Sequence, residues 1–113
     1  MQTFKNNIVV NGIFLAFLDG QKCAVLPHFY DEIAKALNFP DYFIHNFDSL
    51  DECMNDLSWI EQQEIHLLIF NYDDLLFEEQ YNLEVVNNIF ANAISELEDN
   101  GKHFSVFTQQ SAS

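Results

Sequence analysis

The chain has 113 residues, 49% of them hydrophobic and twelve of them Phe, which suits one domain with a single core and is too apolar for disorder. Eighteen Asp and Glu face only four Lys and no Arg, a formal charge of −14. Such a charge repels phosphate backbones and anionic membrane surfaces, so direct nucleic-acid or membrane binding is excluded as a working hypothesis; it favours fast, salt-sensitive encounter with a positive surface.

The pattern of apolar residues predicts an alternation of strands and helices. Ile13 to Leu18 is a short apolar run stopped by Asp19-Gly20, a buried strand ending in a turn. Ile8-Val9-Val10 with Asn11-Gly12 predicts an extra N-terminal strand that pairs with it as a hairpin. The stretch from Ile8 to Leu18 is too short to span a bilayer, and only Lys5 precedes it, so neither a membrane span nor an export signal is expected. Cys23 and Cys53 are too few for a disulfide scaffold and read as free thiols in a reducing cytoplasm.

Pro27 opens a helix in which Phe29, Ile33, Ala36 and Leu37 follow helical spacing, and Phe39-Pro40 ends it. After the aromatic loop Asp41 to His45, Asn46 or Asp48 caps a second helix running to about Leu57. Glu64 to Phe70 is a nearly continuous apolar run, the pattern of a strand covered on both faces. Asn71 to Tyr81 is mixed, with room for one helical turn. Leu83 to Leu97 carries a strong 3.6-residue stripe that stops at Asn100-Gly101. His103 to Thr108 alternates as a last strand, and residues 109–113 read as a flexible tail. The expected fold is α/β: one domain over 1–113, with a core of about 14–108 and a small three-stranded parallel sheet carrying helices.

Function is written most clearly in the second helix. At about 100° per residue, Leu50, Cys53, Met54 and Leu57 share an inner face. Asp48, Asp51, Glu52 and Asn55 fall on the opposite side within about a quarter of the circumference. A solvated acidic face that only aids solubility is the plain reading. The neighbouring loop argues for more, since Tyr42 and Phe43 are rigid aromatics of the kind that anchor interfaces, and His45 stands beside the acids. Tyr42 is equally suited to a core position with a satisfied hydroxyl. A glycosidase-like use of Asp48 and Glu52 is disfavoured because one convex helix face offers no cleft. His28, His45, His66 and His103 lack ligand spacing, so no metal or other cofactor is expected. No His stands in an obvious arrangement with either thiol, so no catalytic residue is assigned.

The run Phe39-Pro40-Asp41-Tyr42-Phe43-Ile44-His45-Asn46-Phe47-Asp48-Ser49-Leu50-Asp51-Glu52-Cys53-Met54 resembles the central motif of the barstar family. That motif reads apolar-Pro-acid-Tyr-aromatic-Gly-x-Asn-apolar-Asp-Ala-Leu-x-Asp-Cys-Leu. The resemblance extends over roughly Phe14 to Thr108 and implies an intracellular inhibitor of a bacterial ribonuclease toxin, an immunity protein or antitoxin in the cytoplasm. Such a protein inserts its acidic helix and loop into a basic active site, as a monomer in a 1:1 complex. It implies that Tyr42, Asn46 and Asp48 stand at interface positions of the family. Glu52 stands where an aspartate is expected, Asp51 where a tryptophan is common, and Ile44 where there is a glycine. Asn92 on the last helix falls about where a glutamate is expected. The alternative is a non-catalytic binding module of the same fold with a partner other than a nuclease.

Overall fold

The computed structural model describes residues 6–112. Strand β1 (Asn7–Val10) pairs antiparallel with β2 (Ile13–Asp19), and the order β1-β2-β3-β4 is completed by the parallel strands β3 (Glu64–Phe70) and β4 (His103–Gln109). Helices α1 (Leu26–Ala36) and α2 (Phe47–Asp56) connect β2 to β3, and α3 (Gln80–Asp99) connects β3 to β4. The protein is thus an α/β fold whose three parallel strands carry one extra antiparallel strand at the edge.

The hairpin is set by its turn. Asn11 and Gly12 have φ of 53° and 80°, the left-handed pair that a two-residue hairpin requires. Gly20 ends β2 for a different reason: a Cβ there would meet the backbone oxygen of Asn71 at 2.0 Å. Helix α1 carries Pro27 in its first turn and ends at Ala36. Asn38, at φ 54°, turns the chain before Phe39-Pro40 is reached. The Trp59 indole N–H donates to the Leu37 carbonyl at 2.8 Å and ties the exit of α2 to the end of α1.

Two further differences from the sequence reading concern α3 and the end of the chain. Helix α3 begins at Gln80 rather than Leu83, and the mixed segment before it holds two short 3-10 turns, Tyr72–Asp74 and Phe77–Glu79. One Glu79 carboxylate oxygen accepts from the Leu26 N–H at 3.3 Å and the other from Asn82 Nδ2 at 3.0 Å, which fastens the start of α3 to the start of α1. In the segment expected to be flexible, Gln109 belongs to β4. Ser111 donates its N–H to Asp73 at 2.7 Å and its hydroxyl to Asp74 at 3.1 Å. These bonds hold the Asp73 carboxyl below its ordinary range. Ser113 lies outside the described residues.

The apolar run of β3 is not covered on both faces. Its burial alternates, with Ile65, Leu67 and Ile69 buried, His66 and Leu68 partly exposed, and Phe70 at the surface. Registered beside them, Phe14, Ala16 and Leu18 of β2 and Phe104 of β4 face the same side. They form one core with Phe29 and Ile33 of α1, Leu50 and Met54 of α2, and Val86, Phe90 and Leu97 of α3. The cause is topological. Because β2, β3 and β4 are laid down in one direction, right-handed crossovers place every connecting helix on the same face. Among the described residues no helix is laid on the other face.

Candidate functional site

Helix α2 starts where its sequence says it should. The Asn46 side-chain oxygen accepts from the Ser49 N–H at 2.7 Å, and Ser49 returns its hydroxyl as acceptor for the Ile44 N–H at 3.0 Å. Loop and helix are therefore locked together at their joint. Ile44, 64% exposed, is not among the residues with positive φ, so the loop does not need a glycine there. At the far end Leu57 takes a left-handed conformation, φ 46°, with its N–H on the Cys53 carbonyl at 3.2 Å. Complete burial of its side chain holds it there.

The helix divides as expected on its inner side. Leu50, Cys53, Met54 and Leu57 are all at or below 1% exposure. On the outer side Asp48 and Glu52 are exposed, whereas Asp51 and Asn55 are only half so. Asn55 Oδ1 is enclosed without a hydrogen-bond partner. Asp48 lies in the first turn, where the positive end of the helix dipole favours it. Among the described residues none of Asp48, Asp51, Glu52 and Asp56 is in an ion pair. The described lysines lie with other groups: Lys35 meets Glu32, Lys102 donates to the Ile60 and Gln62 carbonyls, and Lys22 lines a depression with Asp19 and Glu32. The outer face of α2 is therefore an uncompensated negative surface.

The loop supplies its aromatic border. Tyr42 is 57% exposed, which settles its place at the surface rather than in the core. Its hydroxyl is held above the ordinary phenol range by lost solvation first and then by Cys53, Asp56 and Glu52. It stays protonated and can donate. Asp56, also exposed, thereby joins the surface; the sequence reading passed over it because on the helical wheel it falls outside the quarter of the circumference that holds Asp48, Asp51, Glu52 and Asn55. Phe43 is half-buried, packed edge-on against Phe39 and Tyr30. His45 turns to α1 and not to α2, with Nε2 3.3 Å from Asp31 and its ring 5.3 Å from that of Tyr30. Both pack within the loop and against α1, and His45 stays exposed. Asn92 is exposed on α3, the helix against which α2 packs. Glu96 follows it by four residues on the same flank and is also exposed. The i,i+4 spacing from Asn92 is a signal that could have found it.

Residues 13–109 match the family model Barstar (barnase inhibitor). The chain belongs to the barstar family. No curated protein matches it closely enough to report. The barstar family is one of ribonuclease inhibitors and not of catalysts. Burial, with Glu32 and Asp19 nearby, pushes the Cys23 thiol up to about 12. Burial, then Glu52 and Asp56, raises that of Cys53. Neither forms a thiolate nucleophile near neutral pH. Among the described residues no group of three or more His, Cys, Asp or Glu is placed to hold a metal ion, and no helix is long and apolar enough to cross a membrane.

Proposed function

We propose that the protein is an intracellular immunity protein that blocks the basic active site of a bacterial ribonuclease toxin with the outer face of α2 and the loop before it. The observation that carries this reading is the exposed, unpaired pair Asp48 and Glu52 on one helix face, bordered by exposed Tyr42. A cleft built to hold RNA phosphates is lined with cations. Carboxylates fixed on a folded helix occupy those positions without ordering a flexible chain, which keeps the entropic cost of binding low. Uncompensated negative charge also steers the encounter and raises the association rate.

The partner differs from the nuclease that the commonest family pattern suits. Glu52 carries its carboxylate about 1 Å further from the backbone than an aspartate would, a distance that matters to a preorganised contact. Asp51 replaces an aromatic, and the Asn46 acceptor is spent on the helix cap. These features favour a toxin with a deeper or more strongly cationic cleft. They also keep open the second reading, a barstar-family module that binds a partner other than a nuclease.

The nuclease encoded beside the gene provides the test. Stoichiometric inhibition at nanomolar concentration, weakened as salt rises, is expected. Full nuclease activity with inhibitor in excess, at low salt, would discard the reading.

A further inference from the structure

The uncovered face of the sheet is apolar at its centre. Phe17, Leu68 and Phe107 are registered across β2, β3 and β4, and Phe70 lies beside them. A 320 Å³ depression is lined by Leu68, Phe70 and Phe107. At the other edge β1 adds Ile8 and Val10 to the same face. Ile8 is 52% exposed and Phe107 53%. Strand β1 lies outside the span matched to the family, so this end of the surface is built by residues the family match does not reach. Parallel sheets are almost always covered on both sides. Here the crossovers have left one side bare.

We propose that this face binds a second copy of the chain, sheet against sheet about a twofold axis. The distribution of charge selects that occupant. Of the eighteen carboxylates, the strand register puts only Asp19 and Glu64 on this face, at opposite ends of the strands. Both are engaged within the chain: Asp19 accepts from Asn71 and from the Gln21 N–H, and Glu64 meets His66 at 2.7 Å. Two chains of this net charge repel each other, and a face with so few carboxylates lets them approach with less repulsion. A basic nuclease finds only two separated carboxylates here, both already hydrogen-bonded, and is better served by α2. The size fits a modest dimer. Four strands at about 4.8 Å spacing and 3.3 Å per residue give roughly 400 Å² in projection. Two such faces remove on the order of 1,000 Å² of accessible surface, the lower bound for a specific interface. A weak, reversible association is expected of so small an interface, with α2 of each copy left free on the opposite layer.

Sedimentation equilibrium of the full chain over about 1–300 µM provides the test. A reversible dimer with a dissociation constant of about 10–100 µM is expected. Phe107→Lys and Ile8→Lys should each weaken it at least about tenfold, with the circular dichroism spectrum and the melting temperature kept, because both side chains are exposed. Glu52→Ala should leave it intact. Raising the salt to about 0.5 M should tighten it by screening the repulsion between copies, opposite to the effect on a nuclease complex. A monomer throughout the range would overturn the proposal, as would a dimer indifferent to both Lys substitutions. So would loss of nuclease inhibition on Phe107→Lys in a folded monomer, which would assign the face to the toxin.

Discussion

On its inner side α2 sets Leu50, Cys53, Met54 and Leu57 into the core, each no more than 1% exposed, while the outer side holds Asp48 and Glu52 in water. The helix and its C-cap residue thus serve two tasks with separate physics. Inner side chains are held by apolar burial and shape, and their loss is felt as stability. Outer ones cost the free protein a little, through like-charge crowding on one helix face, and repay it only when a cationic partner arrives. If the division is real, substitutions on the two sides should fall into separate classes.

The largest effect is expected inside. Leu50→Ala removes a fully buried side chain and should lower the unfolding free energy by about 2–5 kcal/mol in a denaturant titration. Inhibition by the fraction that remains folded should be unchanged. An equal loss of affinity in that fraction would erase the distinction between the faces. Outside, Glu52→Ala and Asp48→Ala should each weaken inhibition by roughly 30-fold, about 2 kcal/mol. That is the level at which truncation marks an interface anchor, on a scale for which the barstar–barnase pair is itself a reference case. Their melting curves should stay within about 0.5 kcal/mol of the parent. Glu98→Ala, at the end of α3, should change neither quantity. Equal losses from all three would mean diffuse charge attraction without a defined site.

Much of this division is visible in the sequence. The positions Leu50, Cys53, Met54 and Leu57 identify their face by spacing alone, and the strand and helix order follows from periodicity and from Asp19-Gly20, Pro27 and Asn100-Gly101. What stays hidden is set by partners distant along the chain. The run Ile65-His66-Leu67-Leu68-Ile69-Phe70 reads as doubly covered because Leu68 and Phe70 are as apolar as their buried neighbours. Only the spatial order of the strands reveals that, among the described residues, no helix reaches their side. Likewise nothing local shows that His45 turns to Asp31 on α1, or that Asn55 has its oxygen enclosed.

Asn46 is where the two classes meet, and the smallest expected effect there is the most discriminating. Family resemblance places it at an interface position, yet its side-chain oxygen accepts the Ser49 N–H at 2.7 Å. Asn46→Ala removes that cap and should cost about 1 kcal/mol of stability. It should also weaken inhibition, because the joint that orients Tyr42 and Asp48 comes loose. Asn46→Asp keeps an acceptor in the same place and adds a negative charge at the favourable end of the helix dipole, so stability should return to the parent value. Measuring inhibition by the two variants then separates the roles. If Asn46 acts by positioning, Asp restores affinity along with stability. If its amide nitrogen instead donates to the nuclease, Asp stays as weak as Ala while melting like the parent, and Asn46 moves to the outer class with Asp48 and Glu52.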